Sequence, residues 1–192
     1  NDVVRKEGTK DGLVGSELYQ KTFGVIGTGA IGTKVAMIAK AFGCNVIAYS
    51  RTKKEIITEA GITYVSLEEL LTQSDIISLH VPLNASTKGL IGKKEIALMK
   101  KSAIVLNTAR GGVVDSDALA EALNTEKIAG AGIDVFEMEP PVPKNHPLVN
   151  AKHTVLTPHV AFASQEALYT RAVIVFDNII NWEMGTAKNV IV

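Results

Sequence analysis

Three side chains that could act on a carboxylate substrate follow separate apolar runs of the sequence. Arg110 comes after the run that ends at Asn107, on a turn made by two glycines, and a guanidinium there can bind a carboxylate through two parallel hydrogen bonds. His159 ends a later run, where an imidazole can deliver or accept a hydroxyl proton, and Glu139 can keep that imidazole oriented. Each residue type alone is more often found at a surface or a helix end, but their common position after apolar runs favours a site. Together they are the parts needed to move a hydride to or from a 2-oxo acid.

The segment around residue 27 predicts a binding site for a dinucleotide, the usual carrier of a hydride. A β-branched and aromatic run that predicts a buried strand leads directly into Gly27-x-Gly29-x-x-Gly32, and a helical pattern follows. Gly27 permits a tight turn, Gly29 lets a pyrophosphate approach the backbone, and Gly32 lets the helix pack close to the strand. The N–H groups near Ala30 and Ile31 would then face the anion at the positive end of the helix dipole. The spacing alone is weak evidence, but the order of strand, turn and helix makes a dinucleotide site the favoured interpretation.

Strands and helices alternate along the predicted chain, which is the pattern of an α/β fold. Predicted strands cover residues 22–26, 45–49, 63–65, 75–79, 103–107, 129–135 and 154–156. Predicted helices follow the glycines and the capping box that begins at Ser66, and also cover 55–60, 93–99, 115–124 and a long segment capped by Ser164. This alternation predicts a Rossmann-type doubly wound parallel sheet with ligands at the carboxyl ends of its strands.

Apolar residues recur at helical spacing on three of the predicted helices. On the first helix, one face carries Val35, Ile38, Ala39 and Phe42. On the helix that begins after Asp115, the residues predicted to point inward are Leu119, Ala122 and Leu123. The long final helix repeats the pattern with Leu168, Ala172, Val175, Phe176, Ile179 and Ile180.

The end of the second predicted strand favours NADP over NAD. Ser50, Arg51 and Thr52 stand where an NAD-binding unit commonly has an acidic residue. A carboxylate would repel a 2′-phosphate, whereas an arginine and two hydroxyls can bind one. The alternative interpretation is that Arg51 is a solvent-exposed residue at the start of the next helix.

Composition argues against several other classes of protein. The 192 residues carry 20 basic and 20 acidic side chains, and no basic run is long enough to bind many phosphates of a nucleic acid. Cys44 is the only cysteine, so neither a disulfide framework nor a metal site is expected, and its apolar setting predicts a core position. No apolar stretch approaches the length of a membrane span and no signal-peptide pattern is visible, so we expect a cytoplasmic location.

Five motifs in chain order resemble the D-isomer-specific 2-hydroxyacid dehydrogenase family, and they extend across nearly the whole chain. They are Gly27-x-Gly29-x-x-Gly32, His80-Val81-Pro82-Leu83 with Thr87, Asn107-Thr108-Ala109-Arg110-Gly111, Gly132-Ile133-Asp134-Val135-Phe136-Glu137-Met138-Glu139-Pro140, and Leu156-Thr157-Pro158-His159. The last three together are highly specific. Ser50 departs from the family's common aspartate and is similar to the NADP-preferring glyoxylate and hydroxypyruvate reductase branch.

The resemblance implies a role for each matched position. Arg110 would bind the substrate, His159 would be the general acid and base, and Glu139 would be its partner. Asp134 would contact the nicotinamide carboxamide. Other positions would line the cofactor, with Thr108 and Ala109 on the nicotinamide side, Val81 and Pro82 on the adenosine side, and His80 and Thr87 near them. The remaining histidines, His146 and His153, lie in predicted loops and are expected to be structural or exposed.

The family also has a substrate domain, which the resemblance implies is lacking here. Residues 1–21 resemble the connector from that domain, residues 22–163 the NAD(P)-binding domain, and residues 164–192 a helix and tail that return towards the substrate domain. We therefore expect the chain by itself to bind dinucleotide but to turn over little or no 2-oxo acid. Members of the family commonly dimerise through the cofactor domain, so a homodimer is expected.

Three functions stay open at this point. The favoured hypothesis is an enzyme that reduces a small 2-oxo acid to a D-2-hydroxy acid by hydride transfer from NADPH or NADH. The alternative is a dinucleotide-sensing module that recruits a partner, as the family's corepressor branch does, because that branch is similar at Arg110, Glu139 and His159. A related enzyme acting on an inorganic substrate such as phosphite would use the same hydride chemistry.

Overall fold

The computed structural model describes residues 15–190, and within that range seven strands form one sheet. The strands are β1 (Thr22–Ile26), β2 (Asn45–Tyr49), β3 (Thr63–Tyr64), β4 (Ile76–Leu79), β5 (Ile104–Asn107), β6 (Gly130–Ile133) and β7 (Thr154–Leu156). The helices are α1 (Ala30–Ala41), α2 (Glu55–Glu59), α3 (Leu67–Gln73), α4 (Lys93–Leu98), α5 (Ser116–Asn124) and α6 (Gln165–Glu183). Each predicted strand is present with its ends shifted by two residues at most. Of the predicted connector 1–21, residues 1–14 lie outside the described residues.

The strand order places the loops that could bind a ligand at one edge of the sheet. Neighbouring strands are all parallel and follow the order β3-β2-β1-β4-β5-β6-β7. The order changes direction between β1 and β4, so the loops after these two strands diverge and leave a crevice at the carboxyl edge. This topology confirms the predicted α/β, doubly wound parallel sheet.

Successive residues of the central strands contribute to two separate hydrophobic clusters, because side chains alternate between the two faces of a sheet. In β1, Val25 belongs to one cluster and Ile26 to the other, and both side chains are fully buried. In β4, Ile76 and Ile77 divide in the same way. Helices α1 and α2 cover one face, and α3, α4 and α5 cover the other. The core position predicted for the thiol of Cys44 is confirmed, since this residue is buried and unpaired.

Helix α1 packs on the sheet through a face that matches the predicted one only in part, since Ala39 is buried and Val35 packs against the core. The buried residues of α1 are Gly32, Ala36 and Ala39, whereas Ile38 and Phe42 are more than half exposed. The physical reason is the close approach at Gly32, where a Cβ atom would overlap the carbonyl oxygen of Gly27. An axis held so near the strand favours small residues directly beneath it, so Ile38 and Phe42 lie on the outer side. On α5 the prediction is confirmed, with Leu119 and Leu123 fully buried.

Helix α6 begins at its predicted cap but buries no residue against the rest of the described chain. Ser164 Oγ accepts a hydrogen bond of 3.1 Å from the N–H of Ala167. The helical spacing is confirmed, yet the apolar side chains that carry it are exposed, including Phe176 at 66% and Ile179 at 53%. The helix therefore presents apolar surface that has no partner among residues 15–190.

Candidate dinucleotide and active site

The three glycines after β1 have the geometry that their motif predicts. Gly27 has φ +95°, in the region that favours glycine, and a Cβ on it would lie 2.6 Å from the carbonyl oxygen of His80. Gly32 allows the contact between α1 and the turn described above. Gly29 faces open space, with no atom within 4 Å of the position of a Cβ. A ligand can therefore approach the backbone at Gly29.

The start of α1 is suited to an anion. Gly29 is the N-cap residue and supplies no side-chain cap, and the first turn contains no acidic residue. The N–H groups of Ala30 and Ile31 are thus left to an external acceptor at the positive end of the helix dipole. The side chains of both residues are exposed.

A cavity of about 460 Å³ extends from this turn across the ends of β2 and β4. Nine of the residues predicted to bind the cofactor line it, namely Gly27, Gly29, Ser50, Arg51, Thr52, His80, Val81, Pro82 and Thr87. Sequence reasoning missed several other lining residues, which are Thr28, Tyr49, Lys54, Asn84, Ser86 and Leu90. Thr28 lies inside the glycine motif and Tyr49 ends β2, whereas the other four reach the cavity from segments whose course depends on the fold.

The hydroxyl of Tyr64 links the glycine turn to the loop that carries Arg51. Thr28 is 1% exposed and forms a hydrogen bond of 2.9 Å with the hydroxyl of Tyr64. The same hydroxyl accepts the N–H of Lys54 at 3.0 Å. The loop after β2, which carries Arg51, is therefore held beside the glycine turn.

His80 is placed to line the cavity rather than to exchange protons. Burial lowers the pKa of its imidazole below the ordinary value of 6.5, so the ring is neutral at pH 7. Its Nε2 atom forms a hydrogen bond of 2.9 Å with Ser78 Oγ. Thr87 stabilises the next loop, since its Oγ1 accepts the N–H of Asn84 at 2.9 Å and donates to the carbonyl of Pro82 at 2.5 Å.

The turn that carries Arg110 is held from beneath by Asn107, a residue that the sequence reading did not single out as functional. Asn107 is 1% exposed at the end of β5. Its amide donates to the carbonyl of Arg110 at 3.1 Å, and its Oδ1 accepts the N–H of Ala109 at the same distance. The backbone of this turn is therefore fixed, while the guanidinium of Arg110 remains exposed at the crevice.

Asp134 organises the turn that carries His159. Its Oδ1 accepts the hydroxyl of Thr157 at 2.5 Å and the N–H of Val160 at 2.9 Å, and its Oδ2 accepts the N–H of Ala161 at 2.9 Å. Burial raises the pKa of Asp134, but these hydrogen bonds lower it by more, so it lies below 3.8. The carboxylate is therefore charged and bonded at neutral pH. This structural role was not foreseen from the sequence.

The imidazole of His159 and the carboxylate of Glu139 meet at the end of the sheet. His159 Nδ1 lies 3.1 Å from Glu139 Oε2, and since a carboxylate only accepts, Nδ1–H is the donor. His159 has φ +58°, a strained conformation for this residue, and its N–H donates to the carbonyl of Asp134 at 2.7 Å. The side chain of Glu139 is 79% exposed and that of His159 29%.

A small crevice of about 20 Å³ brings Arg110, Glu139 and His159 together, as the sequence predicts. The other predicted site residues line neither this crevice nor the larger cavity; they are Ala30, Ile31, Gly32, Thr108, Ala109 and Asp134. His146 is buried and structural, and His153 is exposed. Within residues 15–190, no cluster of three or more His, Cys, Asp or Glu side chains could hold a metal ion. The same range contains no helix with the length and apolarity needed to cross a bilayer.

Comparisons with known proteins identify the family. Residues 1–161 match the model of the D-isomer specific 2-hydroxyacid dehydrogenase, NAD binding domain. The glyoxylate reductase of Aeropyrum pernix is 48% identical over 174 residues, which are 90% of this chain and 52% of that protein. The hydroxypyruvate reductase of Thermotoga maritima is 46% identical over 168 residues, covering 86% of this chain and 54% of that protein.

The solved structures agree with this assignment. An acyclic imino acid reductase (Bsp5) in complex with NADPH and D-Arg superposes with a TM-score of 0.88 at 36% identity, over 100% of this chain and 61% of that one. The chain thus spans about half the length of the curated relatives named above. The resemblance inferred from the motifs is confirmed: the chain belongs to the D-isomer specific 2-hydroxyacid dehydrogenase family, of which it carries the NAD-binding domain.

Proposed function

We propose that this chain is the cofactor-binding and proton-transferring part of an enzyme that reduces a small 2-oxo acid to a D-2-hydroxy acid. The observation that carries the proposal is the 3.1 Å contact of His159 with Glu139, in one crevice with Arg110. A bound nicotinamide dinucleotide would supply the hydride. Arg110 would bind the substrate carboxylate, and the free Nε2 of His159 would donate the proton that the carbonyl oxygen takes up. Glu139 would hold the ring so that Nε2 faces the substrate.

Turnover assays on the full-length protein test this assignment. Loss of NADPH, and separately of NADH, would be followed with glyoxylate, hydroxypyruvate, pyruvate and bulkier 2-oxo acids. We expect turnover of one or more of these acids and loss of it in Arg110→Gln. Tight dinucleotide binding with no turnover of any acid would instead favour the sensing module, and reduction of the dinucleotide by phosphite would favour the inorganic substrate.

The cofactor is proposed to be NADP in preference to NAD. Arg51, Ser50 and Thr52 line the cavity at the end of β2, with Lys54 beside them. Losing one charge-assisted hydrogen bond in Arg51→Ala should weaken NADPH binding by about 1.5–3 kcal/mol and NADH binding little. Arg171→Ala on α6 removes the same charge away from the cavity and is the matched control. Equal losses for NADPH and NADH would contradict the preference.

A substrate domain outside residues 22–163 and a homodimer are part of the same proposal. The crevice is small and Glu139 is largely exposed, as expected when a second wall completes the site. A second copy would cover apolar side chains exposed on α1 and just after it, Ile31 at 69% and Phe42 at 61%. We expect the 192-residue chain to bind dinucleotide without efficient turnover and to sediment as a dimer. Efficient turnover by this chain would contradict the need for a separate substrate domain. A chain that stays monomeric at all concentrations would contradict the homodimer. The expected cytoplasmic location stays a proposal that cell fractionation would test.

A further inference from the structure

A partly buried polar network lies behind the loop that carries Glu139. Its members are Ser116, Glu137 and His146, called here the Glu137 network. Ser116 Oγ donates to Glu137 Oε1 at 2.5 Å, and His146 Nε2 lies 3.0 Å from Glu137 Oε2. Ser116 and His146 are buried, whereas the side chain of Glu137 is 37% exposed. The ring of Phe136 meets that of His146 edge-on at 5.2 Å. The network therefore connects the loop to the start of α5 and to the segment before residues 147–150.

The hydrogen bonds define the protonation state of the network. His146 Nδ1 accepts the N–H of Leu148 at 3.3 Å, so this nitrogen carries no hydrogen and Nε2–H donates to Glu137. Burial raises the pKa of Glu137, but the hydrogen bonds from Ser116 and His146 lower it by more, and it lies below the ordinary 4.5. A charged carboxylate with both oxygens bonded is thus held between a hydroxyl and an imidazole N–H.

The backbone connects the Glu137 network to the three side chains of the crevice, which are Arg110, Glu139 and His159. The peptide that joins Phe136 to Glu137 lies against Gly111, where a Cβ atom would overlap the carbonyl of Phe136, and Gly111 follows Arg110 directly. Glu139 is two residues beyond Glu137, and its one side-chain partner in the described structure is His159. An exposed carboxylate on a loop does not hold its own position, because a surface ion pair contributes little. The position of Glu139 therefore depends on the rest of its loop, in which Glu137 is bonded to the buried side chains of Ser116 and His146.

We propose that Ser116, Glu137 and His146 are positioning residues, which keep Glu139 against His159 and the Gly111 turn beneath Arg110. This inference rests on the proposed function. Glu137→Gln can keep both bonds, because its amide oxygen can accept the Nε2–H of His146 while its amide N–H donates to Ser116 Oγ. Glu137→Ala removes both acceptors. Ser116→Ala removes only the hydroxyl, and Ser116→Thr retains it.

Nuclear magnetic resonance of the 192-residue chain gives a readout that needs no turnover. The imidazole ¹⁵N shifts of His159 report whether Nδ1–H is hydrogen-bonded. We expect Glu139→Gln and Glu137→Ala to change these shifts in the same direction, Ser116→Ala to change them partly, and Ser116→Thr and Glu137→Gln to leave them close to the wild-type values. Glu121→Gln, on the exposed side of α5 in an ion pair with Lys93, is the matched control and should leave them unchanged.

Kinetics of the full-length protein complete the test. A displaced Glu139 should lower kcat on the order of 10²-fold, with the Kd for dinucleotide unchanged, because the cofactor cavity shares no residue with the network. If Glu139→Gln alters His159 and turnover while Glu137→Ala and Ser116→Ala alter neither, the positioning role is wrong and the proposed function stands. If Glu139→Gln itself has no effect, the proposed pair is wrong and the inference with it. A uniform loss of stability, dinucleotide binding and turnover would also contradict a positioning role.

Discussion

The two halves of the carboxyl edge differ in how much of a site they contain. The half between β2 and β4 has a cavity of about 460 Å³ built around a turn whose backbone approaches the ligand position. The half at β5, β6 and β7 has a crevice of about 20 Å³, in which the backbone is firmly bonded while the functional side chains are exposed. Asn107 and Asp134 hold the turns of the second half from beneath, but Arg110 and Glu139 extend into solvent.

This difference indicates which half depends on additional surface. A dinucleotide can be recognised by backbone N–H groups and the dipole of α1, and these are complete once β1, the turn and α1 have folded. Acid–base chemistry requires charges in a site that excludes water, because solvent weakens their interactions. On the proposed function, the second half would therefore supply oriented groups that need a covering wall.

The largest effect on stability and dinucleotide binding is expected from a substitution at Gly32, in the first half. In Gly32→Ala, the new Cβ would overlap the carbonyl oxygen of Gly27, so we expect α1 to be displaced, the Tm to fall sharply and dinucleotide binding to be lost. Gly29→Ala is the matched control for folding, since nothing lies within 4 Å of its Cβ position. Its Tm should be unchanged while dinucleotide affinity falls, because the methyl group occupies the approach of the pyrophosphate. A normal Tm for Gly32→Ala would contradict the close packing.

The second prediction tests whether the two halves act separately. His159→Asn should lower turnover by about 10²–10⁴-fold, the usual contribution of a general acid or base, without changing dinucleotide affinity. His153→Asn is the control, because His153 is an exposed histidine with the same left-handed backbone, φ +55° against +58°. Stopped-flow or steady-state assays of the full-length protein measure both. Parallel losses in affinity and turnover for His159→Asn would show that the halves are coupled.

A smaller effect is expected from the carboxylate beneath His159. Asp134→Asn leaves one N–H of the turn facing an amide N–H, which should cost about 1–3 kcal/mol in the free energy of unfolding. The pKa of Asp134 is lowered on folding, so its contribution is fully present above pH 3.8 and is lost as the pH falls through the folded pKa. The difference in the free energy of unfolding between the wild type and Asp134→Asn should therefore become smaller as the pH is lowered. Denaturant titrations across this range measure it, and a difference independent of pH would contradict the charge state.

The smallest effect concerns the link between the glycine turn and the loop after β2. Tyr64→Phe removes the hydroxyl that bonds Thr28 and Lys54 and should lower the free energy of unfolding by about 0.5–1.5 kcal/mol. NADPH affinity should fall more than NADH affinity, because the loop carries Arg51. Tyr169→Phe on α6, 73% exposed, is the matched control. An equal change in affinity for NADPH and NADH would show that the loop after β2 does not determine the choice of cofactor.

Much of the fold and part of the candidate site could be predicted from the sequence. The strands, the glycine turn, the caps Ser66, Asp115 and Ser164, and the meeting of Arg110 with Glu139 and His159 all followed from local patterns and from the rule that parallel strands end at one edge. Residues that support the site were missed, notably Asn107, Thr157 and Tyr64. Their types are common in turns and strands, and nothing in the neighbouring sequence distinguishes a buried polar anchor from an ordinary loop residue.

By itself the sequence determined the alternation of strands and helices, the turn at Gly27 and the strand ends that carry the functional groups. These features depend on periodicity and on backbone conformations that a few adjacent residues impose. Only the tertiary structure decided which face of α1 packs on the sheet, which hydrogen bonds Asp134 accepts and that His146 meets Glu137. Each of these depends on contacts between segments distant in sequence, such as Asp134 with Ala161, and such contacts exist only after the sheet has brought the segments together.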